Sequence, residues 1–141
     1  MSDRVELQRE IDAARVDVFP LLATGDGLQT WLDEADLDPR VGGELRVRLR
    51  DARALGKVLA LAPPQHISFS WDWLDEPLGT LTVVAFDAID HGARTHLTLR
   101  HVGLPSRRQV ELHEELWRYW LERLISAAAR RLPDKVETTH P

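Results

Sequence analysis

The chain has no cysteine. That one absence excludes disulfides, thiolate metal sites and a cysteine nucleophile together. It has no excess of basic charge either: 18 Lys and Arg stand against 23 Asp and Glu, a formal net charge of −5 with the six His taken as neutral. A mildly acidic chain lacks the basic face that general nucleic-acid binding needs, so no nucleic-acid partner is expected. No apolar run approaches the roughly 20 residues that cross a bilayer as a helix, which leaves no membrane partner to expect. The first residues, Met1-Ser2-Asp3-Arg4-Val5, lack the apolar centre of a secretion signal, and cytoplasmic residence is the default expectation. Repeats, linkers and low-complexity blocks are missing too. What remains is 141 residues, 43% apolar and 29% charged, an ordinary soluble composition for one domain with a real core.

The organising stretch is Ser106 to Leu132. Ser106 follows Pro105 and has Gln109 three residues on, a capping-box pattern, and no Gly or Pro intervenes before Pro133. About 26 helical residues make a rod of roughly 39 Å. Trp117, Leu121, Leu124, Ala128 and Leu132 recur at helical spacing as one apolar face, and Leu112, Leu116, Tyr119 and Trp120 widen it. The helix is therefore expected to meet more than one surface.

The preceding residues read as strands. Val5 and Leu7 alternate with polar neighbours and open a first strand to about Ile11. A short helix follows, capped by Asp12 or Asp17 and starting late enough to accommodate Pro20. A second helical turn spans Leu28 to Leu32 and carries Trp31; Asp33, Glu34, Asp36 and Asp38 are expected in a loop. Leu45, Val47 and Leu49 alternate with Glu44, Arg46, Arg48 and Arg50. Ala54 to Leu61 is the next strand, with Gly56 marking a bulge or a close backbone approach. Ile67, Phe69, Trp71 and Trp73 alternate with polar residues. Leu81 to Phe86 and Leu97 to His101 complete about six strands at hairpin spacing. The expected fold class is α+β: a curved antiparallel sheet wrapped round the C-terminal helix, with two short helices after the first strand. Residues 1–133 form this single domain and 134–141 a polar tail.

These residues carry a family resemblance. Arg9 to Ala13 with Val18-Phe19, Leu28 and Trp31, Val41-Gly42-Gly43, Gly56 to Leu59 before Pro63-Pro64, Phe69 to Trp71, Thr95 to Leu99 with His101, Gly103 and Leu104, and Trp117, Leu121 and Leu124 stand in one order. The chain thereby resembles the START-like, birch-pollen-allergen-like helix-grip superfamily. Within it, the chain looks most like the family related to the C-terminal domain of the activator of the heat-shock protein 90 ATPase. The resemblance implies the helix-grip fold, a space between helix and sheet, and a chaperone-associated, stress-response setting. It brings no shared catalytic set, metal or cofactor. One departure is Leu116, which stands where the family commonly has a small residue; pointing inward with Trp120, it would shrink the space.

The candidate ligand-binding residues are Trp31, Phe69, Trp71, Phe86, His101, Trp117, Trp120 and Leu121, as the lining of an apolar hollow. Aromatics at strand and helix spacing more often fill a core than line a site; Trp31, outside the main sheet, is placed at the mouth. His101 shares the parity of Leu97 and Leu99 and is read as a pocket group that orients a ligand, or else as a hydrogen-bonded core histidine. His113-Glu114 fails as a zinc-protease motif because Trp117 holds the second His position. His91, His96 and His101 do not share a strand face, so no metal site is expected. Arg46, Arg48 and Arg50 read as a solvated, salt-bridged row. The leading expectation is a binding domain for a small apolar or aromatic molecule, with no catalytic residue. The alternative is a protein-interaction or chaperone-associated domain, or a homodimer through the apolar segment Leu81 to Phe86; a cyclase or hydrolase ranks last, since only His101 offers it a polar group.

Overall fold

Alternation of apolar and polar side chains sets the sheet. A computed structural model describes the backbone of residues 4–138 and the side chains of residues 4–130. The elements are β1 (Val5–Ile11), α1 (Arg15–Ala23), α2 (Gly25–Gln29), β2 (Glu34–Leu37), β3 (Glu44–Leu49), β4 (Ala52–Ala62), β5 (His66–Ser70), β6 (Asp72–Trp73), β7 (Val83–His91), β8 (Arg94–Val102) and α3 (Arg107–Thr138). One antiparallel sheet of eight strands runs in the order β1-β8-β7-β5-β4-β3-β2, with β6 paired to β4. The side chains turned inward are Val5 and Leu7, Leu45 and Val47, Ile67 and Phe69, Val84 and Phe86, and Leu97 and Leu99, all buried. On β3 and the first half of β1 the alternate side chains are exposed, the two-residue period of a sheet covered on one side, whereas Ser68 and Thr98 on β5 and β8 are buried too.

Two strands exceed the expected six or so. The acidic segment after Trp31 is not a loop but β2. Glu34 lies opposite Arg48 and Asp36 opposite Arg46, while Leu37 turns into the core. Opposite charges across neighbouring strands support such a pairing. The long aromatic strand breaks at Trp71 into β5 and β6. The break lies beside Gly56, whose missing side chain admits Ser70: a Cβ there would stand 1.8 Å from the Ser70 carbonyl oxygen. The Ser70 hydroxyl accepts the Lys57 N–H at 2.9 Å, and the β4–β5 register shifts between Val58 and Ala60. The close backbone approach expected at Gly56 is therefore present, and the irregular register lies just beyond it.

The short helices differ from expectation in their caps, and the second runs Gly25–Gln29 rather than Leu28 to Leu32, ending before Trp31. α1 begins at Arg15 after Ala14, which makes no side-chain cap, and Asp17 lies inside its first turn. Pro20 lies within that helix. The cap falls instead to Thr24, whose hydroxyl accepts the Gly27 N–H at 2.9 Å and donates to the Pro20 carbonyl at 2.7 Å. It thus serves one free donor of α2 and one spent carbonyl of α1.

α3 starts as its sequence predicts, with the Gln109 N–H donating to the Ser106 hydroxyl at 3.2 Å. Val110, His113, Trp117, Trp120, Leu121, Leu124 and Ala128 form its buried face. Leu112, Leu116 and Tyr119 lie on a second face, 41%, 36% and 60% exposed. α3 is helical to Thr138; residues 139–141 of the expected polar tail, and the side chain of Leu132, lie outside the described residues. No helix among the described residues is long and apolar enough to cross a membrane.

Candidate functional site

The aromatic residues from both sides of the grip meet one another. Trp31 and Phe86 make an edge contact at 6.1 Å between ring centroids, and Phe69 lies 6.2 Å from Phe86. Trp71 lies 5.5 Å from Trp117, which meets Trp120 edge-on at 4.9 Å. Such tilted and edge-to-face pairs stabilise beyond their buried area. Trp31, Phe69, Trp71, Phe86, His101, Trp117, Trp120 and Leu121 are all buried. The sheet parity that marked them as inward-facing was right, but the rings occupy the space they were expected to line. Trp31 is not at a mouth: it is fully buried, with its indole N–H donating to the Leu21 carbonyl at 2.7 Å.

His101 is hydrogen-bonded on both nitrogens. Its Nδ1 accepts the Trp117 indole N–H at 3.0 Å, and its Nε2–H donates to the Thr82 hydroxyl at 3.0 Å, which in turn donates to the Trp71 carbonyl. This chain fixes one neutral tautomer. Burial, helped by the neighbouring His113, lowers its pKa from 6.5 to about 3. With both nitrogens engaged and no exposed surface, His101 orients the core rather than a ligand.

His113 completes the interior and was not singled out as a site residue. Its Nδ1–H donates to the Gln109 carbonyl at 2.7 Å, and its Nε2 accepts the Trp73 indole N–H at 2.9 Å. Burial lowers its pKa as well. The signal was there: His113 falls four residues before Trp117, on the same helical face.

The concave surface lies outside this packed interior. A groove of about 900 Å³ runs between the first half of α3 and the β3–β4 turn, β6 and the segment after it. Its apolar wall is Trp73, Leu78, Leu112, Leu116, Tyr119 and Trp120. Of the eight residues expected to line a pocket, only Trp120 reaches it. Leu116 faces this groove, so it does not fill the interior. Charged groups frame the groove: Arg53 meets Asp75 at 2.9 Å and Arg123 meets Asp33 at 3.1 Å, beside Arg50, Asp51, Glu76 and Glu115. A second, smaller groove of about 550 Å³ crosses the outer face of β2, β3 and β4 near Leu55 and Leu74.

Among the described residues the remaining histidines, His66, His91 and His96, lie beside acids. His91 and His96 both hydrogen-bond the Glu10 carboxylate, His91 at 2.7 Å, while His101 lies on the inner face. Those two bonds, His91 first, hold the Glu10 pKa below the usual carboxylate value. Among the described residues no group of three or more His, Asp and Glu is placed to hold a metal ion.

An antiparallel sheet bent round a long C-terminal helix, with two short helices after the first strand, is the helix-grip fold of the START-like superfamily. The chain belongs to the Activator of Hsp90 ATPase homolog 1-like protein family, whose model matches residues 12–129. Solved structures share the fold at low identity. Protein MLL2253 from Mesorhizobium loti is 23% identical over 90% of this chain and 97% of its own, with a TM-score of 0.82. PFC0360w, an HSP90 activator from Plasmodium falciparum, is 20% identical over 86% of this chain and 92% of its own, TM-score 0.75. The protein of the Aha1 dimer from Colwellia psychrerythraea is 21% identical over 90% and 96%, TM-score 0.74. No curated protein matches the sequence.

Proposed function

We propose that this chain is a protein-interaction domain of the chaperone-associated, ATPase-activator kind, and that it docks its partner in the groove beside α3. The family and the relatives described as an HSP90 activator and as an Aha1 dimer support the class. The observation that carries the reading is the exposed stripe of Leu112, Leu116 and Tyr119 facing a framed groove, beside an interior filled by rings. Apolar side chains left on one helix face at helical spacing are what a partner covers. Fully burying a leucine contributes roughly 1.5–3 kcal/mol, so covering these partly exposed residues supplies about 2–4 kcal/mol, a share of the roughly 8 kcal/mol of a micromolar contact, and the rest falls to the groove's other walls.

The test mixes the chain with an Hsp90-type chaperone and reads binding by calorimetry and the rate of ATP hydrolysis. Binding with faster hydrolysis is expected. Leu116→Asp should weaken binding about tenfold or more while leaving the melting temperature nearly unchanged, since the side chain is partly exposed. A wild-type chain that neither binds nor stimulates sinks the reading.

A second reading rests on the size of the same groove. About 900 Å³ lies within the ~300–1,000 Å³ of small-molecule sites, and Trp73 and Trp120 line it. A small apolar or aromatic ligand would then sit outside the ring cluster. A thermal-shift screen of fatty acids, sterols and aromatic compounds decides it: no stabilisation by any of them counts against it. Gel filtration reads the homodimer, for which Leu81 supplies an exposed apolar side chain.

A further inference from the structure

The groove's charges are unequally matched. Two of its acids are neutralised on the spot, Asp75 by Arg53 and Asp33 by Arg123. The side chains of Asp51, Glu76 and Glu115 have no ion-pair or hydrogen-bond partner among the described residues, and the only other unpaired charge on the lining is Arg50. Three carboxylates against one guanidinium leave the rim negative. All three acids are exposed, and no side chain among the described residues pairs with them. They are distributed around the apolar stripe: Asp51 at the β3–β4 turn, Glu76 after β6, and Glu115 on α3 between Leu112 and Leu116.

We infer that the occupant of this groove is a basic amphipathic helix of the partner protein. The inference rests on the protein-interaction reading above and names the chemistry of what docks. Leu112, Leu116 and Tyr119 stand at i, i+4 and i+7, a ridge about 10 Å long that matches the apolar face of two to three turns of a second helix. Lys or Arg on the flanks of that helix reaches Asp51, Glu76 and Glu115. An acidic helix of the same shape would face three uncompensated carboxylates, so the rim selects between partners by repulsion as well as by attraction. Exposed charges of this kind act mainly through encounter and are weakened by salt.

The probe is a labelled helical peptide of about 18 residues with Leu at i, i+3, i+4 and i+7 and Lys elsewhere, compared with its Leu/Glu counterpart by fluorescence anisotropy. The Leu/Lys peptide should bind at least tenfold more tightly than the Leu/Glu peptide. That preference should shrink when NaCl rises from about 50 mM to about 500 mM. The double variant Glu76→Lys, Glu115→Lys should reverse the preference, whereas Asp12→Lys, an exposed acid away from the groove, should leave it intact. Equal binding of both peptides, or an equal effect of Asp12→Lys, overturns the inference. The same variants are then tried on the chaperone. If wild type binds it and the double variant binds equally well, this inference falls and the interaction reading stands. If wild type does not bind it while the peptide preference holds, the chaperone reading falls and the groove's charge selection stands.

Discussion

Lowering the pH from 6.5 toward 3 should withdraw stability from this fold chiefly through His101. The residue is fully buried, and its two nitrogens are committed as one acceptor from Trp117 and one donor to Thr82. Protonating Nδ1 would place a charge among the rings and set two donors against each other. Burial first, and then the neighbouring His113, hold the folded pKa at about 3, below the ordinary 6.5. The sign follows directly: the unfolded chain takes up the proton first, so stability is complete above pH 6.5, falls as the pH drops below it, and levels off near 3. Each pH unit in that window costs about 1.4 kcal/mol. At pH 4.5 the loss is on the order of 3 kcal/mol, a large part of the ~5–15 kcal/mol of a whole domain. His113, lowered by burial too, adds to the loss in the same direction. Urea unfolding followed by circular dichroism, at about pH 7.5 and about pH 4.5, reads it as a midpoint lower by roughly 1 M or more. His101→Gln keeps one donor and one acceptor but cannot titrate. Its own loss between the two pH values should be smaller than that of wild type by about 3 kcal/mol. An equal loss in both proteins refutes the reasoning, as does a His101 ring-proton resonance that titrates near 6.5.

Two further substitutions test the packing. Gly27→Ala would place a methyl group 1.9 Å from the Pro20 carbonyl oxygen and 2.7 Å from the Leu21 Cα, both backbone atoms of the preceding helix. It should cost about 3 kcal/mol or more in a thermal melt, and a loss under about 1 kcal/mol would show that α1 and α2 separate easily. Thr82→Val keeps the shape but removes the acceptor for His101 and the donor to the Trp71 carbonyl. It should cost about 1–3 kcal/mol, and an unchanged melting temperature would mean that the buried chain contributes nothing.

Much of the architecture was legible because it depends on local periodicity. Leu45-Val47-Leu49, the long spacing of Trp117 to Ala128, the Ser106 cap and the close approach at Gly56 are all local statements. β2 was not legible, since Glu34 and Asp36 have poor strand preferences and are held by pairing with β3, a contact remote from their own segment. The candidate site was less legible, for a different reason. Parity tells which way a side chain points, not whether the space it points into is empty. All eight proposed pocket residues are buried, and the rings of Trp31, Phe69, Trp71, Phe86, Trp117 and Trp120 meet one another in pairs. The direction of Leu116 was open in the sequence: it lies about 100° round the helix from buried Trp117 and faces the groove. The groove itself is assembled from a turn, a two-residue strand and a helix far apart in sequence, and no single stretch announces it.

The five indoles form one connected set: Trp31 touches Trp117, Trp117 touches Trp71 and Trp120, and Trp73 touches Trp71 at 5.4 Å. Rings this close exchange excitation, so the emission of each indole depends on the surroundings of the others. Trp73 and Trp120 bring that set to the wall of the groove. A molecule that settles there should shift the colour or brightness of the whole emission, giving the protein a built-in dye for its own occupancy.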